Sequence, residues 1–133
     1  MPDTQPHGCE VVTKISPRSV TETVSHLLGT LESKGVKVFA VLDQSKEARE
    51  VGLELRETTL VIFGSPLVGT PVMVSEPLAA LDLPLKLLIW ADGAQTKVSY
   101  YSPSDLAAKH HLSDELARGL LSINALSDAL VTP

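Results

Sequence analysis

The sequence predicts a two-layer α+β fold, an antiparallel sheet packed by helices on one face. Three observations predict it. Two short and nearly continuous apolar runs, Thr59–Phe63 and Leu83–Trp90, have punctuated ends and read as inner strands. Asp92-Gly93 is a strong hairpin signal, so Thr96–Tyr101 should return antiparallel to the second run. On either side of this block the apolar residues switch to helical spacing, in Val20–Leu31 and Leu116–Leu130.

Taken in order, Glu10–Ile15 is rich in β-branched residues and reads as the first strand, with Val11, Thr13 and Ile15 on one face. Ser19 and Glu22 have capping-box spacing, with Ser16-Pro17 as a rival helix start. Val20, Val24, Leu27, Leu28 and Leu31 form the helix's buried stripe, and Gly35 ends it. In the strand Val36–Leu42, Val36, Val38, Ala40 and Leu42 point one way and Phe39 and Val41 the other. Ser45 caps a short helix, Lys46–Val51, before the strand Thr58–Phe63. The connection Pro66–Leu81 is too long for a hairpin, and Thr70-Pro71 predicts a short helix inside it that reaches Ser75. Ser102–Asp105 starts a helix that ends near His110, and Ser113–Glu115 starts the last one. Its face is Leu116, Leu120, Ile123, Leu126 and Leu130. Ile62, Leu87 and Leu120 are expected in the core.

The 133 residues suit one domain, 9–133, behind a flexible stretch, 1–8. The net charge of −5, without a basic cluster, opposes approach to phosphates, so no nucleic-acid partner is expected. A single cysteine, Cys9, permits no intramolecular disulfide and no Cys-based metal cluster; no cofactor is expected. No run approaches the length of a membrane span, and Met1–Gly8 is polar with two prolines, unlike a signal peptide. The expected compartment is the cytoplasm.

Candidate chemistry is sparse. Gly64–Thr70 looks like a phosphate loop but lacks the Gly-Lys-Ser/Thr ending. As a strand-to-helix turn it is expected to hold, if any ligand, an anionic or carbonyl group on Gly64, Ser65, Gly69 and Thr70 beside Asp43 or Lys86. Asp43, Asp82 and Lys86 stand next to apolar runs, where ion pairs are more often structural than catalytic. His110 and His111 are adjacent, point about 100° apart, and do not chelate one metal. Both sheet faces carry apolar residues. The second is expected to be covered by another copy of the chain, with Phe39, Trp90, Tyr100 and Tyr101 as candidate anchors, or by the Pro66–Leu81 connection.

Several phrases together resemble the domain of unknown function 302 family. They are Val51–Arg56, Thr59–Pro66, Val68–Met73, Leu81–Lys86 and Val98–Tyr100. The family often has His where Gln44 stands and Asn where Ser65 stands. The resemblance implies a two-layer fold with β-α-β4-α order, similar to half of the TATA-binding-protein fold. It also implies a homodimer, and it implies no reaction.

Overall fold

The computed structural model describes residues 9–133. The expected flexible segment 1–8 lies outside them. The elements run β1 (Val11–Ser16), α1 (Val20–Ser33), β2 (Lys37–Asp43), α2 (Gln44–Glu50), β3 (Thr58–Gly64) and α3 (Pro66–Ser75). A 3-10 turn (Pro77–Leu81) leads to β4 (Leu85–Asp92), β5 (Gln95–Tyr101), α4 (Pro103–Lys109), α5 (Asp114–Leu120) and α6 (Ser122–Val131). The five strands form one antiparallel sheet in the order β1-β5-β4-β3-β2. This is the predicted two-layer α+β architecture.

Local signals set the element ends. Ser19 caps α1 through a full capping box: the Glu22 N–H donates to Ser19 Oγ (3.1 Å) and the Ser19 N–H to Glu22 Oε1 (3.2 Å). Ser16, the rival cap, instead ends β1 in the interior, where its hydroxyl shares a hydrogen bond of 2.8 Å with Thr23 Oγ1. That bond, with another from Thr23 Oγ1 to Ser19 O, lets a threonine occupy the centre of the α1 stripe. Asp43, not Ser45, caps α2. Gly93, at φ +62°, turns the β4–β5 hairpin as its sequence requires.

Alternation along the strands divides the residues between two faces. Val61 and Phe63 of β3, Leu85, Leu87 and Ile89 of β4, and Val98 and Tyr100 of β5 are buried. They form one core with Leu27 and Leu31 of α1 and Leu120, Ile123, Leu126 and Leu130 of α5 and α6. Leu87 and Leu120 are in the core as expected. Ile62 is not: it lies on the other face, opposite Lys86 and Ala40, and is only half-buried.

Three expectations change on folding. The pairing of β2 with β3 slips between Val38 and Ala40, so Phe39 is an extra, bulged residue. Val41 therefore stands opposite Val61 on the helix-covered face, while Ala40 and Leu42 stand opposite Ile62 and Leu60 on the open face. The single last helix divides at Leu121, where a tighter bond from Asn124 N–H to Leu121 O replaces regular helix. The connecting helix α3 starts at Pro66, four residues before the expected cap at Thr70, and carries Pro71 inside. Proline fits the first turn at Pro66, where an N–H would lack a partner in any case.

Candidate functional site

β3 ends at Gly64, and Ser65 and Pro66 start α3 there. The helix rests closely on α5: a Cβ on Gly119 would collide with Val68 Cγ1. Only Val72 of α3 is fully buried. Leu67 and Val74, on its outer side, are 89% and 78% exposed. Between α3, α5 and the sheet margin lies a cavity of about 310 Å³. Phe39, Val68, Met73, Leu83, Pro84 and Leu120 make its walls apolar, and Gly64, Ser65, Gly69 and Thr70 complete it.

Four of the six expected ligand-site residues are thus brought together, namely Gly64, Ser65, Gly69 and Thr70. The hydroxyls of Ser65 and Thr70 have no hydrogen-bond partner among the described residues, and Ser65 leaves the start of α3 without a side-chain cap.

Asp43 and Lys86 are elsewhere. Antiparallel pairing places Lys37 opposite Gly64 and Asp43 opposite Thr59, so Asp43 sits at the far end of β2 from the cavity. Its carboxylate accepts from Ser45 Oγ (2.6 Å) and the Lys46 N–H (2.9 Å). The Ser45 hydroxyl first, then the Lys46 N–H, hold it below the usual aspartate range. Lys86 belongs to the open face; its ammonium donates to Pro84 O (3.2 Å) and Asp82 O (3.5 Å).

Lys86 reaches Asp82 only at its backbone oxygen, and the Asp82 carboxylate pairs with other residues. His110 Nε2 lies 2.7 Å and Lys109 Nζ 3.0 Å from its Oδ2. Burial pushes the Asp82 carboxyl up, but the hydrogen bonds from His110 and Lys109 outweigh this and hold it below its ordinary value. The group ties the end of α4 to the segment that leads into Leu83 and Pro84 of the cavity wall. Cys9 sits near it, its thiol pushed up by burial, away from a reactive thiolate. Among the described residues no three His, Cys, Asp or Glu side chains stand close enough to hold a metal.

The four candidate anchors separate. Trp90 and Tyr101 are on the open face. The Trp90 indole donates to Ser99 Oγ (3.0 Å), and Lys97 and Arg56 lie 5.5 and 5.9 Å from its ring centre. Tyr100 faces the core, where its hydroxyl donates to Asn124 Oδ1 (3.1 Å) and accepts from Ser127 (3.0 Å). Phe39 is at the cavity. Sequence reasoning missed Met73, Leu83 and Leu120 as wall residues, since they lie on separate segments that meet only in space.

These features define a class: a two-layer α+β fold with one partly exposed apolar sheet face and an apolar cavity under the β3–β4 connection. The chain belongs to the family described as "Domain of unknown function DUF302", whose model matches residues 12–130. It is similar in structure to an uncharacterized conserved DUF302 protein from Bacillus stearothermophilus, with a TM-score of 0.75 and 20% identity over 91% of this chain and 94% of that one. It is also 38% identical over 103 residues to "Fluoride-specific ion channel FluC 1" of Brucella suis and to FluC 1 of Brucella abortus. That match spans 77% of this chain but only 41% and 38% of those proteins. No helix among the described residues is long and apolar enough to cross a membrane. The family has no assigned reaction.

Proposed function

We propose that the chain is a small-molecule-binding module, with its ligand in the cavity between α3 and the sheet margin. The observation that carries this reading is the cavity itself: about 310 Å³, apolar-walled, with the Ser65 and Thr70 hydroxyls among its few polar groups. Ligand sites are typically concave and apolar with a few polar groups, at volumes of roughly 300–1,000 Å³. Protein-observed NMR with a library of small apolar fragments tests it. Binders should shift the resonances of Phe39, Met73 and Leu120, and Met73→Trp should abolish their binding. A library without one binder at these residues would count against the reading.

A second observation favours self-association as well. Val11, Ile15, Leu42 and Tyr101 of the open face are exposed, and Leu60, Ile62, Leu88 and Trp90 beside them are half-buried. The Pro66–Leu81 connection does not reach them, since α3 packs on α5. We propose a homodimer that joins two such faces about a two-fold axis and buries about 1,200–2,000 Å². A monomer at every concentration in sedimentation equilibrium would refute it. The β-α-β4-α order and the 1-5-4-3-2 strand order support the proposed likeness to half of the TATA-binding-protein fold. A superposition that failed to align the five strands would end that comparison. The partial match to proteins named fluoride channels supports a role as an accessory part attached to, or working beside, another activity. The absence of paired cysteines supports a reducing compartment, and cell fractionation tests the proposed cytoplasmic location.

A further inference from the structure

The cavity's chemistry is asymmetric. Its depth is hydrocarbon, from Met73, Leu83, Pro84 and Leu120. Its margin carries the Ser65 and Thr70 hydroxyls, and beside it lies one cation that the sequence did not single out. Lys37 stands opposite Gly64 in the sheet, and its Nζ lies 5.0 Å from the centre of the Phe39 ring. Among the described residues Lys37 makes no ion pair. The bulged Phe39 is itself a wall residue, so the ammonium resting on its ring stands next to the cavity lining.

Resting on the reading of this cavity as a binding site, we propose that its ligand is a small amphipathic carboxylic acid. The apolar body fills the cavity and the carboxylate lies at the mouth, against the Lys37 ammonium and the Ser65 and Thr70 hydroxyls. Among the described residues no Asp or Glu lines the cavity, so a cationic ligand has no counter-charge there. A purely apolar ligand makes no use of the hydroxyls or the ammonium. A phosphate ester is best received by a bidentate guanidinium, and among the described residues no arginine lines the cavity. A carboxylate with charge-assisted hydrogen bonds matches one cation and two hydroxyl donors.

Octanoate and octanol share one tail and differ in the head group, which makes them the probes. Their dissociation constants are measured on the full chain by NMR titration, below micelle-forming concentrations. Octanoate should bind about tenfold more tightly than octanol, the scale of one charge-assisted hydrogen bond. Lys37→Gln should remove this preference and leave octanol unchanged, while Lys37→Arg should keep it. Equal binding of the two probes to the unaltered chain would overturn the acid and leave the cavity reading standing. A preference that survives Lys37→Gln would overturn the assignment of the head group to Lys37. Binding of neither probe, with no shift at Met73 or Leu120, would overturn both.

Discussion

The two faces of the sheet are built from the same strands and nearly the same residue types, yet they have opposite fates. On one, Val61, Leu87, Ile89 and Val98 lie under α1 and α6 and are wholly buried. On the other, Leu60, Leu88 and Trp90 are only half-buried and Tyr101 is exposed. The difference does not lie in hydrophobicity. It lies in where the helices attach: the interior polar contacts, Ser16 with Thr23 and Tyr100 with Asn124 and Ser127, belong to the helix-covered side. The open face has polar contacts of its own, Thr13 and Trp90 with Ser99, so what separates the two faces is where the helices pack.

The largest expected effect sharpens this contrast directly. Leu87→Ala should cost about 2–5 kcal/mol in urea unfolding, the range for a packed leucine. Leu88→Ala, one residue away on the open face, should cost less than half as much in dilute solution. Its cost should then grow with protein concentration as association becomes linked to folding. Equal losses at the two positions, independent of concentration, would erase the distinction between the faces.

Next comes the seat of α3. Gly119→Ala gains up to about 1 kcal/mol in helix propensity. The new methyl meets Val68, and overpacking costs typically about 1–3 kcal/mol. Net destabilisation is expected, relieved when Val68→Ala is added. A stabilised single variant would mean that α3 yields freely. Tyr101→Asp tests the open face with little expected cost to the folded monomer: sedimentation should then show a monomer at concentrations where the proposed dimer of the unaltered chain is expected.

The smallest effect is electrostatic. The Asp82 carboxyl is held below its unfolded value, so its stabilisation is complete above the ordinary aspartate range and is lost as pH falls through the lower folded value. The pair is partly exposed, which keeps the contribution at about 1 kcal/mol or less. Stability measured from pH 7 downward should stay flat in this term until roughly pH 4 and then decline. Asp82→Asn should remove that part of the acid limb, and an unchanged limb would show that the contact is inert.

What was legible in the sequence was local. Caps such as Ser19 and Ser102, the Gly93 turn, and the apolar runs of Thr59–Phe63 and Leu85–Trp90 as strands depend on neighbours within a few residues. The bulge at Phe39 was not legible, because it is set by the register against β3 rather than by anything in Val36–Leu42. It reversed the facing of Val41 and sent Phe39 to the cavity. At the site, the loop Gly64–Thr70 could be picked out by its turn residues. Asp43 could not be excluded without the strand direction that carries it to the other end of β2, nor His110 placed beside Asp82, 28 residues earlier.

The first strand has a consequence for how the chain assembles. Among the described residues β1 pairs only with β5, and the contact of Thr13 with Ser99 spans 86 residues. The same strand binds α6, through Lys14 to Asp128 and Ser16 to Leu130 O, across still longer separations. β2 to β5 can zip up as successive neighbours, but β1 must wait, an unpaired ribbon, until the rest exists. Closing so long a loop is slow relative to local pairing. In pulse-labelled hydrogen exchange, Val12 and Lys14 should become protected after the β4–β5 amides and together with those of α6. Early protection in β1 would mean that it finds a temporary partner. Until closure, the strand and the Trp90 face are both open to other chains, so the earliest-made strand is also the one longest at risk of joining the wrong sheet.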